Sequence, residues 1–231
     1  NHNLIIEILL DYLSYKHLFI LLMSCKCLYN NKPSIKTLES IYFTPKKTHE
    51  LYNAVDIWYY NKKDGMKQFG NISRWNTLHI TNMSYLFYNR ALFNEDIDDW
   101  IVYNVKDMKF IFYCATGFNK SIQSWNVSNV QDMRYMFYLC INFNQDLNNW
   151  NTISVNYMKH MFYGAKKFNK SICNWNLKNV IDMSNMFTYA KSFNQNLNSW
   201  KIDLLKTKID HIFYDATNLT IENMPVFLNF Q

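Results

Sequence analysis

The sequence predicts an α/β solenoid: about six stacked units of 25 residues, each a strand plus a short helix, preceded by an all-helical module and a helical cap. Three observations carry this expectation. Trp recurs at Trp75, Trp100, Trp125, Trp150, Trp175 and Trp200, always 25 residues apart. Further columns keep the same register: Met83, Met108, Met133, Met158 and Met183; Phe87, Phe112, Phe137, Phe162 and Phe187; and the pairs Phe93-Asn94, Phe118-Asn119, Phe143-Asn144, Phe168-Asn169 and Phe193-Asn194. The composition suits packed repeats, since 49% of the 231 residues are hydrophobic and 18% aromatic, whereas only 4 are Gly and 3 are Pro. So little Gly excludes collagen-like chains, Gly-rich phosphate loops and flexible-linker architectures.

Taken in order, residues 1–32 read as a helical module and 33–70 as a connector ending in a capping helix. That cap spans 48–63, where Leu51, Ala54, Val55, Trp58 and Tyr59 fall at helical spacing until Asp64-Gly65 breaks the pattern. The array runs over 71–220, and 221–231 form a C-terminal cap and tail. Within a unit, Ile97-x-x-Trp100-x-Val102 and Ile122-x-x-Trp125-x-Val127 follow the L-x-x-L-x-L template of a leucine-rich-repeat strand. Met108, Ile111, Phe112 and Ala115 are spaced for one face of a short helix, with Asn104-x-x-Asp107 as a capping-box-like start. No such unit closes a core alone. Stacked, each of the six Trp buries roughly 150–250 Å², a gross gain of about 4–6 kcal/mol before chain entropy. The Asn after each repeat Phe is expected to form a side-chain ladder between coils. Between Lys201 and Leu219 one extra residue shifts Ile209, Phe213 and Leu219 a step late, as degenerate terminal units do.

Charge and scattered chemistry narrow the function. The net charge of +6 is spread with no basic run longer than two residues, which predicts no nucleic-acid partner. No apolar stretch approaches about 18 residues, so no membrane span is expected, and Asn1-His2-Asn3 lacks the basic start of a signal peptide. The odd count of 5 Cys, without C-x-x-C, favours a reducing compartment. None of the 6 His has a nucleophile or carboxylate at a recognised spacing. Neither an enzyme nor a bound metal or cofactor is expected, and the Met and Phe wealth reads as core.

Two resemblances add to this. Trp125-Asn-Val-Ser-Asn-Val130-Gln-Asp-Met133-Arg-Tyr-Met-Phe137, followed by Phe143-Asn-Gln-Asp-Leu147, resembles the BspA-like surface-protein repeats of mycoplasma lipoproteins, other bacterial surface proteins and giant viruses. That likeness covers about residues 48–220 and implies a solenoid for protein–protein contact. Ahead of it, Leu4-Ile-Ile-Glu7-Ile8-Leu9-x-x-Tyr12-Leu13, with Leu18, Leu21 and Ser24-Cys25-Lys26, is similar to an F-box, although Ile5 and His17 depart from its usual Pro and Asp. The resemblance implies docking on a Skp-type adaptor of a cullin–RING ubiquitin ligase through Leu4, Ile8, Leu9, Leu13, Leu18 and Leu21. The competing reading makes these helices only a shield for the array.

The leading expectation is thus a substrate adaptor in the cytoplasm, the host's if the chain is viral. Its solenoid would hold an unknown target protein. In the L-x-x-L-x-L comparison the target-binding face holds Asp98, Asp99, Ile101, Gln123, Ser124, Asn126, Asn148, Asn149, Asn151, Asn174, Asn176, Asn198, Ser199 and Lys201. That face is rich in amides, as is the chain, where codon bias toward Asn is an equal explanation of the 32 Asn. The alternative is a secreted or cell-surface adhesin, for which Asn71, Asn82, Asn119, Asn126, Asn169 and Asn218 stand in glycosylation sequons.

Overall fold

The computed structural model describes residues 42–228 together with Lys16, His17 and Ile20. Two α-helices lead into the repeats, α1 over Thr48–Tyr60 and α2 over Lys62–Phe69. In α1 the Glu50 carboxylate accepts from the backbone of Lys46 at 2.7 Å and Lys47 at 3.4 Å, so two donors at the helix entry are satisfied. Its buried stripe is Leu51, Ala54, Val55 and Trp58, as the spacing predicts. The break falls earlier than expected. Asn61 ends α1, and its side-chain oxygen accepts from the Asp64 amide at 3.2 Å to start α2. Gly65 therefore lies inside a helix, where an added Cβ would sit 2.8 Å from Trp58 Cα.

Beyond Ile72 the chain is a stack of 25-residue coils made almost wholly of β-turns. In one coil Trp100 donates to Ile97 O at 3.1 Å, Val105 to Val102 O at 2.9 Å, Ile111 to Met108 O at 3.2 Å and Ala115 to Phe112 O at 2.9 Å. Each bond links residues three apart, the signature of a turn. Other amides reach the next coil: Met108 donates to Asp132 O at 2.9 Å, Phe110 to Arg134 O at 2.9 Å, Phe112 to Met136 O at 3.0 Å and Cys114 to Tyr138 O at 2.8 Å. The row recurs from Met83, Met133, Met158 and Met183.

The expected α/β solenoid is overturned. Among the described residues the only β-pairing in the array is a single column of isolated parallel bridges, Asn82–Asp107–Asp132–Tyr157–Asp182–Lys208, and no α-helix lies in it. The L-x-x-L motif closes a turn rather than opening a strand. The helix-like Met-x-x-Ile-Phe-x-x-Ala stretch cannot be helical, because Phe110 and Cys114 stand at φ 58° and 54°. Left-handed residues four apart join successive turns, and the alternate amides point out of the coil. Nor does Asn104 cap a helix: its side chain donates to Leu78 O in the preceding coil at 2.7 Å. Asp107 instead accepts the Lys109 amide at 3.0 Å in an Asx-turn.

The core is the one the periodicity predicts. All six repeat Trp are buried, and each indole from Trp100 onward donates to the coil before, Trp100 to Ile72 O at 2.8 Å and Trp125 to Ile97 O at 2.9 Å. Phe87, Phe112, Phe137, Phe162 and Phe187 stack with centroids 5.3–5.6 Å apart. The Asn ladder is present. Asn94 Oδ1 accepts from Asn119 N at 3.0 Å, Asn119 from Asn144 at 2.9 Å, Asn144 from Asn169 at 3.0 Å and Asn169 from Asn194 at 2.9 Å. At the end of the array Asp182 bridges Lys208, which absorbs the extra residue.

The positive-φ residues allow a test by sign. Asn185 stands at φ 58°. Asn185→Gly is expected to leave stability unchanged or raise it by up to ~1 kcal/mol, while Asn185→Ala lowers it by about 1 kcal/mol. In a helix the order would reverse, so urea midpoints of the two variants distinguish the backbones.

Candidate interaction surfaces

Among the described residues no group of three or more His, Cys, Asp or Glu side chains is placed to hold a metal ion. No helix among them is long and apolar enough to cross a membrane. The six residues assigned to adaptor binding, Leu4, Ile8, Leu9, Leu13, Leu18 and Leu21, lie outside the described residues.

The turns after each Ile or Leu and after each Trp bring the assigned target face together along one side of the stack. Asp98, Asp99, Ile101 and Asn148 are half-buried there, and the other ten residues are exposed. Part of its polarity is already committed to structure. Asp98 Oδ1 accepts from Ser124 N at 2.9 Å, and Asn148 Oδ1 accepts from Asn174 N at 3.0 Å. Ser199 Oγ donates to Cys173 O at 2.7 Å. Asn126, Asn151 and Asn176 accept from the amides two residues on, at 3.1, 3.2 and 3.0 Å. These six side chains brace coils and turns, and their Nδ2 or remaining lone pairs are what a partner would meet.

The face is also divided. Lys16 Nζ donates to Ser124 Oγ at 2.6 Å and to Ser124 O at 3.2 Å, and His17 Nδ1 lies 3.4 Å from Asp99 Oδ1. Lys16 and Ile20 wall a recess of 180 Å³ with Ile101, Ser124 and Asn126. Toward the other end a larger open groove of 650 Å³ is bounded by Cys173, Asn174, Asn176, Ser199, Lys201 and Asp203.

A second surface escaped the sequence reading. Tyr85, Phe110, Tyr135 and His160 stack along the coils with centroids 4.7, 4.5 and 4.7 Å apart. Beside them Tyr88, Tyr113, Tyr138 and Tyr163 stack at 4.8, 4.6 and 4.6 Å. Ring faces meet one another, so phenol edges face outward. Burial within this ladder pushes the Tyr138 phenol up to about 12, with Tyr113 and Tyr163 adding to the rise. The signal was available, because both sets recur every 25 residues.

His160 interrupts the chemistry of its column. Its Nδ1 is buried without a hydrogen-bond partner. Burial lowers its pKa, Lys159 lowers it further, and Asp182 opposes both. A lowered folded-state pKa means the unfolded chain protonates first. The contribution of His160 is therefore present above the ordinary value of 6.5 and is lost as pH falls through the folded pKa. His160→Tyr, which restores the residue found at Tyr85 and Tyr135, is expected to raise the melting temperature at pH 5 more than at pH 7. Equal gains at both pH values would refute this account.

Comparison with known proteins gives one result. The model of a family described as "Mycoplasma protein of unknown function, DUF285" matches residues 58–156 and 142–224. No curated protein and no solved structure matches. The match spans the coil stack and the end of α1, and the chain therefore belongs to this family of repeats, which is related to the BspA-like repeats.

Proposed function

We propose that this chain is a non-enzymatic, protein-binding adaptor acting in the cytoplasm. Its N-terminal segment engages a Skp-type adaptor of a cullin–RING ubiquitin ligase, and its coil stack holds a target protein. One observation carries the target-binding half: repeat packing fills the coil interiors, while ten of the assigned side chains stand exposed in register along one side. A rigid row of variable, hydrogen-bonding groups on invariant coils is what protein recognition by repeats requires. The groove at Asn174, Asn176, Ser199 and Lys201 is the best-formed part of that row, because Lys16 and Ile20 already cover the part near Ser124.

The ligase half rests on the F-box-like residues. Its test is binding of the full chain to a purified Skp-type adaptor, measured by calorimetry. Expected is a complex that Leu9→Asp or Leu13→Asp weakens at least ~100-fold, a charge in an apolar interface costing that much. No heat of binding for the unmodified chain would overturn the ligase half and leave the surface-repeat reading in its place.

A further inference from the structure

The two ring columns break at one coil. Up to that point each ring in a column is sandwiched by its neighbours: Tyr138 lies 4.6 Å from Tyr113 and 4.6 Å from Tyr163, with planes within 9° of parallel. In the coil that follows, both rings are replaced. Asn185 stands where Tyr135 and His160 stand in the coils before it, and Thr188 where Tyr138 and Tyr163 stand. The next coil brings rings back, at His211 and Tyr214.

The break is confined to side chains. The amides of Asn185 and Phe187 still reach forward, to Asp210 O and Ile212 O at 2.8 Å each, and Asn185 keeps φ 58° against 57° at Tyr135. Two rings are thus missing from a backbone that holds its spacing. Tyr189, one residue late, does not restore the stack: it stands at 84° to Tyr163 and 85° to Tyr214, with centroids 5.3 and 5.8 Å away. What is left is an open recess of 380 Å³ lined by Tyr163, Asn185, Thr188, Tyr189, His211 and Tyr214. Described coils flank it on both sides, so the gap belongs to the interior of the stack. A cavity of about 150 Å³ holds a benzene ring, so a substituted ring has room here. The lining is also polar. Thr188 Oγ1 donates to His211 O at 2.8 Å, and among the described residues the Asn185 Nδ2 and the His211 ring nitrogens make no hydrogen bond.

We propose that this recess is a binding site for a single phenol ring, carried by a small aromatic molecule or by a tyrosine side chain. The columns themselves show the fit, since Tyr113 and Tyr163 hold the Tyr138 phenol between them in the same way. Contact between ring faces and edges adds to simple area burial, and Asn185 and His211 offer a donor and an acceptor to the phenol hydroxyl. A saturated ring of equal size lacks the flat faces that such contacts use. A purine is two fused rings wide where each coil elsewhere holds one ring per column.

The experiment titrates the full chain with p-cresol, the tyrosine side chain without its backbone, and follows amide shifts by NMR. Saturable binding with a Kd on the order of 1 mM is expected, with shifts centred on the six lining residues. Binding of 4-methylcyclohexanol and of adenosine should be at least ~10-fold weaker. Asn185→Tyr, which puts a ring where Tyr85 and Tyr135 carry one, should weaken p-cresol at least ~10-fold, and Tyr214→Ala, which removes an exposed wall, at least ~5-fold. N-acetyltyrosinamide separates the two sources: affinity equal to that of p-cresol supports the proposal with a polypeptide tyrosine as occupant, and weaker binding supports it with a free phenol. Absence of p-cresol binding overturns the proposal. So does equal affinity for 4-methylcyclohexanol, tighter binding of adenosine, or p-cresol binding that neither variant weakens. These titrations involve neither the target face nor a Skp-type adaptor, so the adaptor reading keeps its own test.

Discussion

Trp125→Ala is expected to lower the stability of the chain by about 3–5 kcal/mol, the range for removing a buried large aromatic. Trp125 is 2% exposed, lies 6.1 Å from the Phe112 ring and donates to Ile97 O at 2.9 Å. Truncation removes the packing on both neighbouring coils and leaves the Ile97 carbonyl one bond short. The effect should spread, because a coil touches only its neighbours and a weak junction in the middle uncouples the two sides. A urea titration followed by circular dichroism is therefore expected to broaden as well as shift. A loss below about 1 kcal/mol would show that the indole column does not bind the coils together.

Tyr135→Pro is the second large effect, at about 3 kcal/mol or more. Tyr135 stands at φ 57°, which the proline ring forbids, and its amide donates to Lys159 O at 3.0 Å. Its ring is stacked on Phe110 at 4.5 Å and on His160 at 4.7 Å. The substitution thus removes a coil-to-coil bond, a backbone conformation and a ring from the ladder at once. Tyr135→Gly separates these terms, since Gly keeps the amide and accepts the conformation while still losing the ring. The Gly variant should fall well short of the Pro variant in the same denaturant assay, and equal losses would place the whole effect in the ring.

What was legible in the sequence is the packing, and what was not is the backbone path. Offsets of three, four and seven marked Met108, Ile111, Phe112 and Ala115 as one buried face, and all four are buried. Two turns of four residues place side chains at those same offsets, so periodicity alone could not separate turns from a helix. The separating clue would have been glycine at the left-handed positions. Tyr85, Phe110, Tyr135 and His160 occupy one such column, and only Gly164 among Asn89, Cys114, Leu139 and Tyr189 occupies the other. Inter-coil bonds and ring stacking over-determine the conformation, so bulky residues tolerate it and the local signal disappears.

The side chains assigned to the target face are exposed or half-buried, but their spacing did not reveal which of their polar groups are already bonded. Asn126, Asn151 and Asn176 spend one acceptor each on Asx-turns, which an L-x-x-L-x-L strand would not have required. Of the two ring columns, one mixes types, with Phe110 and His160 among tyrosines, which blurs its period, whereas Tyr88, Tyr113, Tyr138 and Tyr163 repeat as plainly as the Trp.

The four forward bonds at each junction all point the same way, from the amide of one coil to the carbonyl of the next, against one to three backbone bonds running back, such as those of Lys106 to Thr81 O and Gly117 to Ala91 O. Peptide dipoles therefore add along the stacking axis, as they do along a helix, though here the axis lies across the chain direction. Over the described coils the stack is polar along its axis. Within the described coils the positive end of that dipole lies toward Ile209 to Asp215 and the negative end toward α1, and salt screens whatever part of it reaches solvent.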